Sequence, residues 1–358
     1  MFREYRRKWV RKNRFRPWYR KCRHYLSKRG EIGRTIKTFC GDLGPLKQLR
    51  LRTDMIWSLF CYGAYFSEYF LFGFEGKPRA YRNSFITEAN RMHYYPLMND
   101  PRNTDLLENK YRAYLLFREL YGREMLYVRR GAQAGEEELR TLTGFAARHE
   151  DYIVKPVYAA FGRGVHSDSL TRYASAAAAF AAYAEKGAVL EERILQDPRM
   201  AAIHPASVNT LRIPTVILSG RSGTPELRLF HPSLRTGRGG SLTDNFSAGG
   251  ISALIDPDSG LVFTDGADKR GGRWERHPDS GIRFRGFQIP EWDRAVALVR
   301  RAALSVPGNH YCGWDLALST DCGWCIVEAN STAQMGAMQI VTRTGRRAEL
   351  EVLIRQMK

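Results

Sequence analysis

A chain of 358 residues with 44% hydrophobic residues can bury a large core, which excludes a disordered protein and fits two or three subdomains. It holds no run of about 18 apolar residues and no apolar leader at its start, so neither a transmembrane helix nor a signal peptide is expected. The formal net charge is +19, but residues 1–30 alone hold 13 Lys or Arg against one acid, Glu4, so most of the excess sits in one segment. A cytoplasmic protein is expected, with its six cysteines as free thiols.

The basic head, residues 1–30, interleaves its cations with Tyr5, Trp9, Phe15, Trp18 and Tyr19. That pattern suits an anionic membrane surface, with aromatics at the interface and cations over lipid phosphates. Such docking would make the protein peripheral on the inner membrane face. Nucleic-acid contact rewards the same composition through counterion release but ranks behind it, and a solvated tail also stays open. Pro17 argues against one continuous helix through the head.

Residues 31–105 read as mostly helical. The stretch 54–72, DMIWSLFCYGAYFSEYFLF, is rich in aromatics but broken by Ser58, Gly63, Ser67 and Glu68, which fits a buried helix pair. His93 and Tyr94, near Pro96, are of a type that sometimes lines a site and more often serves structure. Asn103 to Leu120 reads as one capped helix, with Asn103 or Thr104 as N-cap and Lys110 early on it.

An α+β unit then runs to about residue 190. Glu124–Val128 and Tyr152–Lys155 read as short strands around a helix near Glu136–His149. The second strand delivers Lys155 and stops at Pro156; Gly162, Arg163 and Gly164 follow. A strand-borne lysine before a glycine turn suits a polyphosphate, because the lysine is a point charge and glycines let backbone N–H groups approach an anion. Tyr173–Lys186 is Ala-rich and helical, ending at Gly187, and Val189–Glu191 reads as a strand leading outward.

Residues 191–358 form the last unit. Glu191–Arg199 is a crossover, and Val208–Leu218 and Leu227–Leu234 are strands. The loop 236–250, TGRGGSLTDNFSAGG, is long enough to suggest a functional role. Its GRGG is not a Walker loop, since no GK[ST] follows. Ile251–Asp256 and Leu261–Thr264 read as a hairpin around DPDSG, and Pro290–Leu304 as a helix.

Gly313–Ser319 and Trp324–Asn330 complete the chain's strands. A four-residue turn between them sets Asp315 opposite Glu328, and alternation puts Glu328 and Asn330 on one face. Two carboxylates and an amide suit Mg²⁺, which takes a few protein oxygens and completes its shell with phosphate and water. An exposed charged hairpin is the plainer reading, but Trp314, Ile326 and Val327 imply burial, and buried carboxylates need a cation. Cys322 and Cys325 straddle the turn without opening a helix, so they read as ordinary thiols.

The ordered series resembles the ATP-grasp superfamily, and more narrowly the sugar-transfer-associated ATP-grasp family. It comprises Asn109-Lys110, Ile153–Pro156, Gly162–Val165, Leu190–Glu192 with Gln196, and His204–Arg212 with its SVNTLR. Arg235 with Gly237, Asp244-Asn245, Gly249-Gly250, Gly313–Asp315 and Glu328–Asn330 complete it, covering roughly residues 105–345. The resemblance implies an α+β fold in which two subdomains, 106–190 and 191–358, clasp ATP. Lys110 and Lys155 would meet the α- and β-phosphates under the turn of Gly162, Arg163 and Gly164. Glu191 or Glu192 would take the adenine amino group and Gln196 would lie near the ribose. Asp315, Glu328 and Asn330 would hold one or two Mg²⁺. Arg212 and Arg235 would meet the γ-phosphate or acyl phosphate, with Asn245 near the acceptor. The implied chemistry is a ligase that activates a carboxylate as an acyl phosphate, releases ADP and joins the acyl group to an amine or similar nucleophile. An acidic sugar or amino acid is the expected substrate, with a role in glycan or cell-surface polysaccharide assembly. A kinase acting on a hydroxyl, and a membrane- or nucleic-acid-associated protein with a regulatory ATP site, are the alternatives. Two departures stand out. The first 105 residues do not read as the βαβ domain that often precedes this fold, and VYAAFGRG is a glycine-poor cover loop.

Overall fold

The computed structural model describes residues 16–158, 164–220 and 223–357, so Gly162, Arg163 and the first half of the basic head lie outside the described residues. Helices dominate up to residue 121, and among the described residues no strand precedes Met125. The aromatic stretch is a helix pair, Pro45–Tyr62 and Phe66–Leu71. Gly63 separates them at φ 76°, where a Cβ would also lie 2.8 Å from Thr87 Oγ1, so both conformation and space call for glycine. Met55, Leu59, Phe66 and Tyr69 are buried in a core shared with Val216, Leu218 and Tyr311 of the large sheet and with Leu350 and Leu353 near the C-terminus. The helical region is therefore built onto the sheet it precedes.

The helix expected over Asn103–Leu120 is three short ones, Thr104–Glu108, Lys110–Leu116 and Arg118–Tyr121. Asn109 breaks it: its backbone is extended (ψ 109°) and its side chain accepts from the Arg112 N–H, capping the second helix. Lys110 is thereby the first residue of a helix.

The smaller sheet contains β1 (Met125–Val128), β2 (Tyr152–Pro156), β3 (His166–Asp168) and β4 (Ala188–Glu192), ordered β1-β4-β2-β3. β2 runs through Pro156, and β3 was not expected. β4 does not lead outward. It lies between β1 and β2, as its fully buried Val189 and Leu190 require. The Ala-rich helix begins at Ala176, capped by the Ser175 hydroxyl. On β2, Tyr152 and Val154 pack against Leu142, Phe145, Phe180 and Tyr183 of the two helices. Strand alternation sends Ile153 and Lys155 to the opposite face, toward the larger sheet.

The larger sheet contains β5 (Thr210–Ser219), β6 (Pro225–Leu229), β7 (Ser233–Thr236), β8 (Ile251–Leu254), β9 (Gly266–Ala267), β10 (Arg273–Trp274), β11 (Tyr311–Ser319) and β12 (Gly323–Asn330). Its order is β10-β9-β8-β7-β5-β11-β12, with β6 also on β5. The strand expected over 227–234 is two, because His231 is left-handed (φ 53°) and Pro232 has no N–H for a ladder. The hairpin expected over 251–264 survives as a turn. Its second arm pairs through an Ile255–Val262 bridge, and β9 takes the place beside β8. The helix expected from Pro290 starts at Trp292, after Glu291 in a left-handed conformation.

Candidate active site

β11 and β12 pair with Asp315 opposite Glu328, as expected, by a different route. The turn is three residues, 320–322, closed by Gly323 at φ 72°, and a bulge between Asp315 and Leu316 shifts the register back. Opposed residues share a face, so one row across the sheet reads Glu328, Asp315, Arg212, Ser233. A second row reads Thr210, Arg235, Ser252. The two rows form a polar lattice on the face turned to the smaller sheet. Gly313 keeps it open: a Cβ there would lie 2.3 Å from Ala333 Cβ and 3.2 Å from Arg212 Cδ.

The charges interlock. Arg212 donates from Nη2 to Asp315 Oδ2 at 2.8 Å and also from Nε to Oδ1, while Arg235 Nη1 reaches both oxygens at 3.2 Å. Burial pushes the Asp315 carboxyl up, but Arg212 and then Arg235 outweigh it and hold it below the ordinary value. Lys110 Nζ donates to Glu328 Oε1 at 2.7 Å. On the smaller sheet, Lys155 Nζ and Arg123 Nη2 donate to the buried Glu191 at 2.7 and 2.8 Å. Burial opposes charge on Glu191, and Lys155 and Arg123 overcome it, bringing its pKa to about 2.

A cavity of about 220 Å³ lies between the sheets, with Lys110, Lys155, Glu191, Glu192, Arg235, Asn245, Asp315 and Glu328 in its wall. A second, of about 320 Å³, shares Arg235, Asn245, Asp315 and Glu328 with it and adds Arg212, Asn330, Ser252 and Arg91. Ten of the residues singled out from the sequence thus converge on one cleft. Gln196 is not among them: its amide is committed to Asn209, donating to the carbonyl at 2.8 Å and accepting from the side chain at 2.9 Å. Gly164 is described, at φ 73° with a Cβ position 2.9 Å from Pro156 Cγ, and its neighbour Val165 reaches the cavity wall. Tyr94 donates to Glu351 and lies away from both cavities, as does His93.

Arg235 Nε, Asn330 Nδ2 and Ser252 Oγ are buried without a hydrogen-bond partner, and all three residues line the second cavity. Such groups are costly unless a ligand or water completes them. Sequence reasoning assigned no role to Ser252, Arg123 or Asp244. Asp244 accepts from the Thr210 hydroxyl and stands 3.8 Å from Arg235; burial raises its pKa. Ser252 and Arg123 offered no motif, because each acquires its place only through sheet register or a long-range ion pair. The donor chemistry fits Mg²⁺: Asp315, Glu328 and Asn330 offer two carboxylates and an amide on one face. Among the described residues, no group of three His, Cys, Asp or Glu offers a rival metal site.

The model of the family described as sugar-transfer associated ATP-grasp matches residues 89–353. The chain belongs to that family. The match begins inside the helix Glu88–Met98, so this ATP-grasp protein includes in its family region part of the helical segment that sequence reading left outside. Among solved structures it is similar to the ATP-grasp ligase PsnB complexed with minimal precursor, at 14% identity and TM-score 0.44, over 72% of this chain and 64% of that one. It is also similar to D-alanyl-alanine synthetase A from Vibrio cholerae, at 12% identity and TM-score 0.43, over 72% and 67% of the two chains. An L-amino acid ligase from Bacillus licheniformis gives 12% identity and TM-score 0.42, over 76% and 56%. The chain thus spans somewhat less than two thirds of PsnB's length. A comparison with curated proteins gave no match.

Proposed function

We propose that this ATP-grasp protein is an ATP- and Mg²⁺-dependent ligase that activates a carboxylate as an acyl phosphate and passes the acyl group to an amine or similar nucleophile. The observation that carries this reading is the convergence of Lys110, Arg212, Arg235, Asp315 and Glu328 where two cavities meet. Phosphoryl transfer needs charge neutralisation and alignment more than a protein nucleophile, and this cleft offers both.

In this reading the nucleotide occupies the cavity between the sheets. Lys110 and Lys155 hold its phosphates, and Glu191 or Glu192 serves the adenine end. Asp315, Glu328 and Asn330 hold one or two Mg²⁺, which neutralise phosphate charge when bound. Arg212 and Arg235 balance the charge that develops on the γ-phosphate and acyl phosphate, and Asn245, which lines both cavities, orients the acceptor. The unpartnered Arg235 Nε–H, Asn330 amide N–H and Ser252 hydroxyl suit the acceptor-only oxygens of a carboxylate. An acidic sugar or amino acid meets that requirement, and the family's description supports a place in glycan or polysaccharide assembly. The units clasping the nucleotide are 106–190 and 191–358.

Incubation of purified protein with Mg·ATP and pools of amino acids, uronic acids and nucleotide-sugars tests this. The expected result is ADP and phosphate that depend on a carboxylate and vanish in Glu328→Ala. A phosphorylated product would assign a kinase instead, AMP would sink the acyl-phosphate route, and binding without turnover would support a regulatory site.

A further inference from the structure

We propose that Cys322 and Cys325 are a disulfide-forming pair at the tip of the β11–β12 hairpin, an oxidisable site separate from the ATP cleft. Cys322 is the last residue of the three-residue turn and is exposed, while Cys325, opposite Ala317 on β12, is 1% exposed. Gly122, at φ 58°, covers both side chains. A Cβ on it would lie 2.8 Å from Cys322 Sγ, 2.9 Å from Cys322 Cβ and 3.7 Å from Cys325 Cβ. The two cysteine side chains therefore converge on one spot, and the absence of a Cβ on Gly122 leaves that spot to them.

The surroundings divide the chemistry between the two sulfurs. Arg123, next to Gly122, donates to the Ile326 carbonyl at 2.6 Å and brings a buried positive charge beside the pair. Hydrogen bonding from Cys325 lowers the Cys322 thiol to about 7 against the cost of burial, with Ser319 and Arg123 assisting. The same hydrogen bond, and burial, push the Cys325 thiol up. An exposed thiolate with a buried partner is the arrangement of an attacking and a resolving cysteine. With a disulfide oxidant such as oxidised glutathione, the Cys322 thiolate attacks one sulfur and releases one glutathione thiolate. Cys325 then attacks Cys322 Sγ of the mixed disulfide and releases the second glutathione. The two protein thiols lose two electrons and two protons, and both end on the two reduced glutathione molecules.

The test is thiol mapping of the full chain after exposure to oxidised glutathione at about pH 8, where the attacking thiol is ionised. Alkylation, cleavage before Asp321 and mass spectrometry then separate Cys322 and Cys325 from Cys312. The expected product has Cys322 joined to Cys325, protected from iodoacetamide and restored by dithiothreitol. Cys325→Ser should stop at a glutathione adduct on Cys322, and Cys322→Ser should leave Cys325 reduced. Wild-type protein that holds Cys322 only as the glutathione adduct, or pairs it with another cysteine, overturns the proposal. Nothing in this test depends on ligase activity.

Discussion

Lys110 and Glu328, 218 residues apart in sequence, form a 2.7 Å ion pair in the wall of the cleft. One comes from the first turn of a helix, the other from the last strand, so the pair closes the site from opposite ends of the fold. In the proposed cycle it must re-form its partnerships when Mg·ATP enters, the lysine toward phosphate and the carboxylate toward the cation. Glu328→Gln keeps the shape and removes the charge. It should lower ADP formation by on the order of 10²-fold and raise the Mg²⁺ concentration needed for half-maximal rate, as expected for lost charge stabilisation. Initial rates over a Mg²⁺ titration check this; an unchanged rate and Mg²⁺ response would remove Glu328 from the metal site.

Glu191 is locked between Lys155 and Arg123 and is depressed from 4.5 to about 2. A carboxyl with a depressed folded pKa contributes stability above its unfolded value, and that contribution is lost as pH falls through the folded one. Acid unfolding should therefore steepen between about pH 4.5 and 2 in the wild type and less so in Glu191→Gln. The variant also leaves two cations without their buried counter-charge, which should cost about 3–5 kcal/mol at neutral pH. Denaturant midpoints across that pH range test both statements. Equal pH profiles for wild type and variant would show that the triad does not govern acid stability.

The features that reached the sequence reader are those written locally. Alternation along Glu328-Ala-Asn330 put both polar residues on one face, and the aromatic stretch around Gly63 announced its helix pair. The Asp315–Glu328 pairing was legible although the turn is shorter than expected, because the bulge at Asp315 restores the register that a longer turn would have given. What was hidden depends on long-range contacts. β4 looks like an exit strand until β1 and β2 are placed on either side of it, and Asn109 looks helical until its side chain accepts from the Arg112 N–H and the Val157 carbonyl accepts from the Lys110 N–H. Gln196 sits in the matching motif, yet local packing gives its whole amide to Asn209.

Gly313 is a strand residue chosen for what it leaves empty. A methyl there meets Ala333 Cβ and crowds Arg212, whose guanidinium holds Asp315. Gly313→Ala should destabilise the fold by about 1–3 kcal/mol, the range for overpacking a filled interior. It should also lower kcat more than nucleotide affinity, because in the proposed reading the displaced arginine serves the transferring end of the cleft. Thermal midpoints and nucleotide titrations separate the two effects. An alanine variant with wild-type stability and turnover would show that Ala333 yields without moving Arg212.

The basic head presents a structured half. In the helix Arg16–Lys28, Trp18, Tyr19 and Leu26 are 63, 62 and 65% exposed. Helical spacing puts them within an arc of about 100° with Cys22. The opposite side is anchored: Lys21 donates to the Phe60 carbonyl, and His24 stacks on Tyr65 at 3.8 Å. An apolar stripe flanked by cations and fixed to the fold suits the surface of an anionic bilayer, although no described helix is long and apolar enough to cross one. Deleting residues 1–30 would strip packed side chains, so the informative variants are a deletion of 1–15 and the double substitution Trp18→Ala, Leu26→Ala. Vesicles with a phosphatidylserine fraction should bind the wild type, less so in high salt. The deletion should lose the salt-sensitive part and the double variant the salt-resistant part. Binding equal to wild type in both variants would return the segment to an ordinary solvated surface.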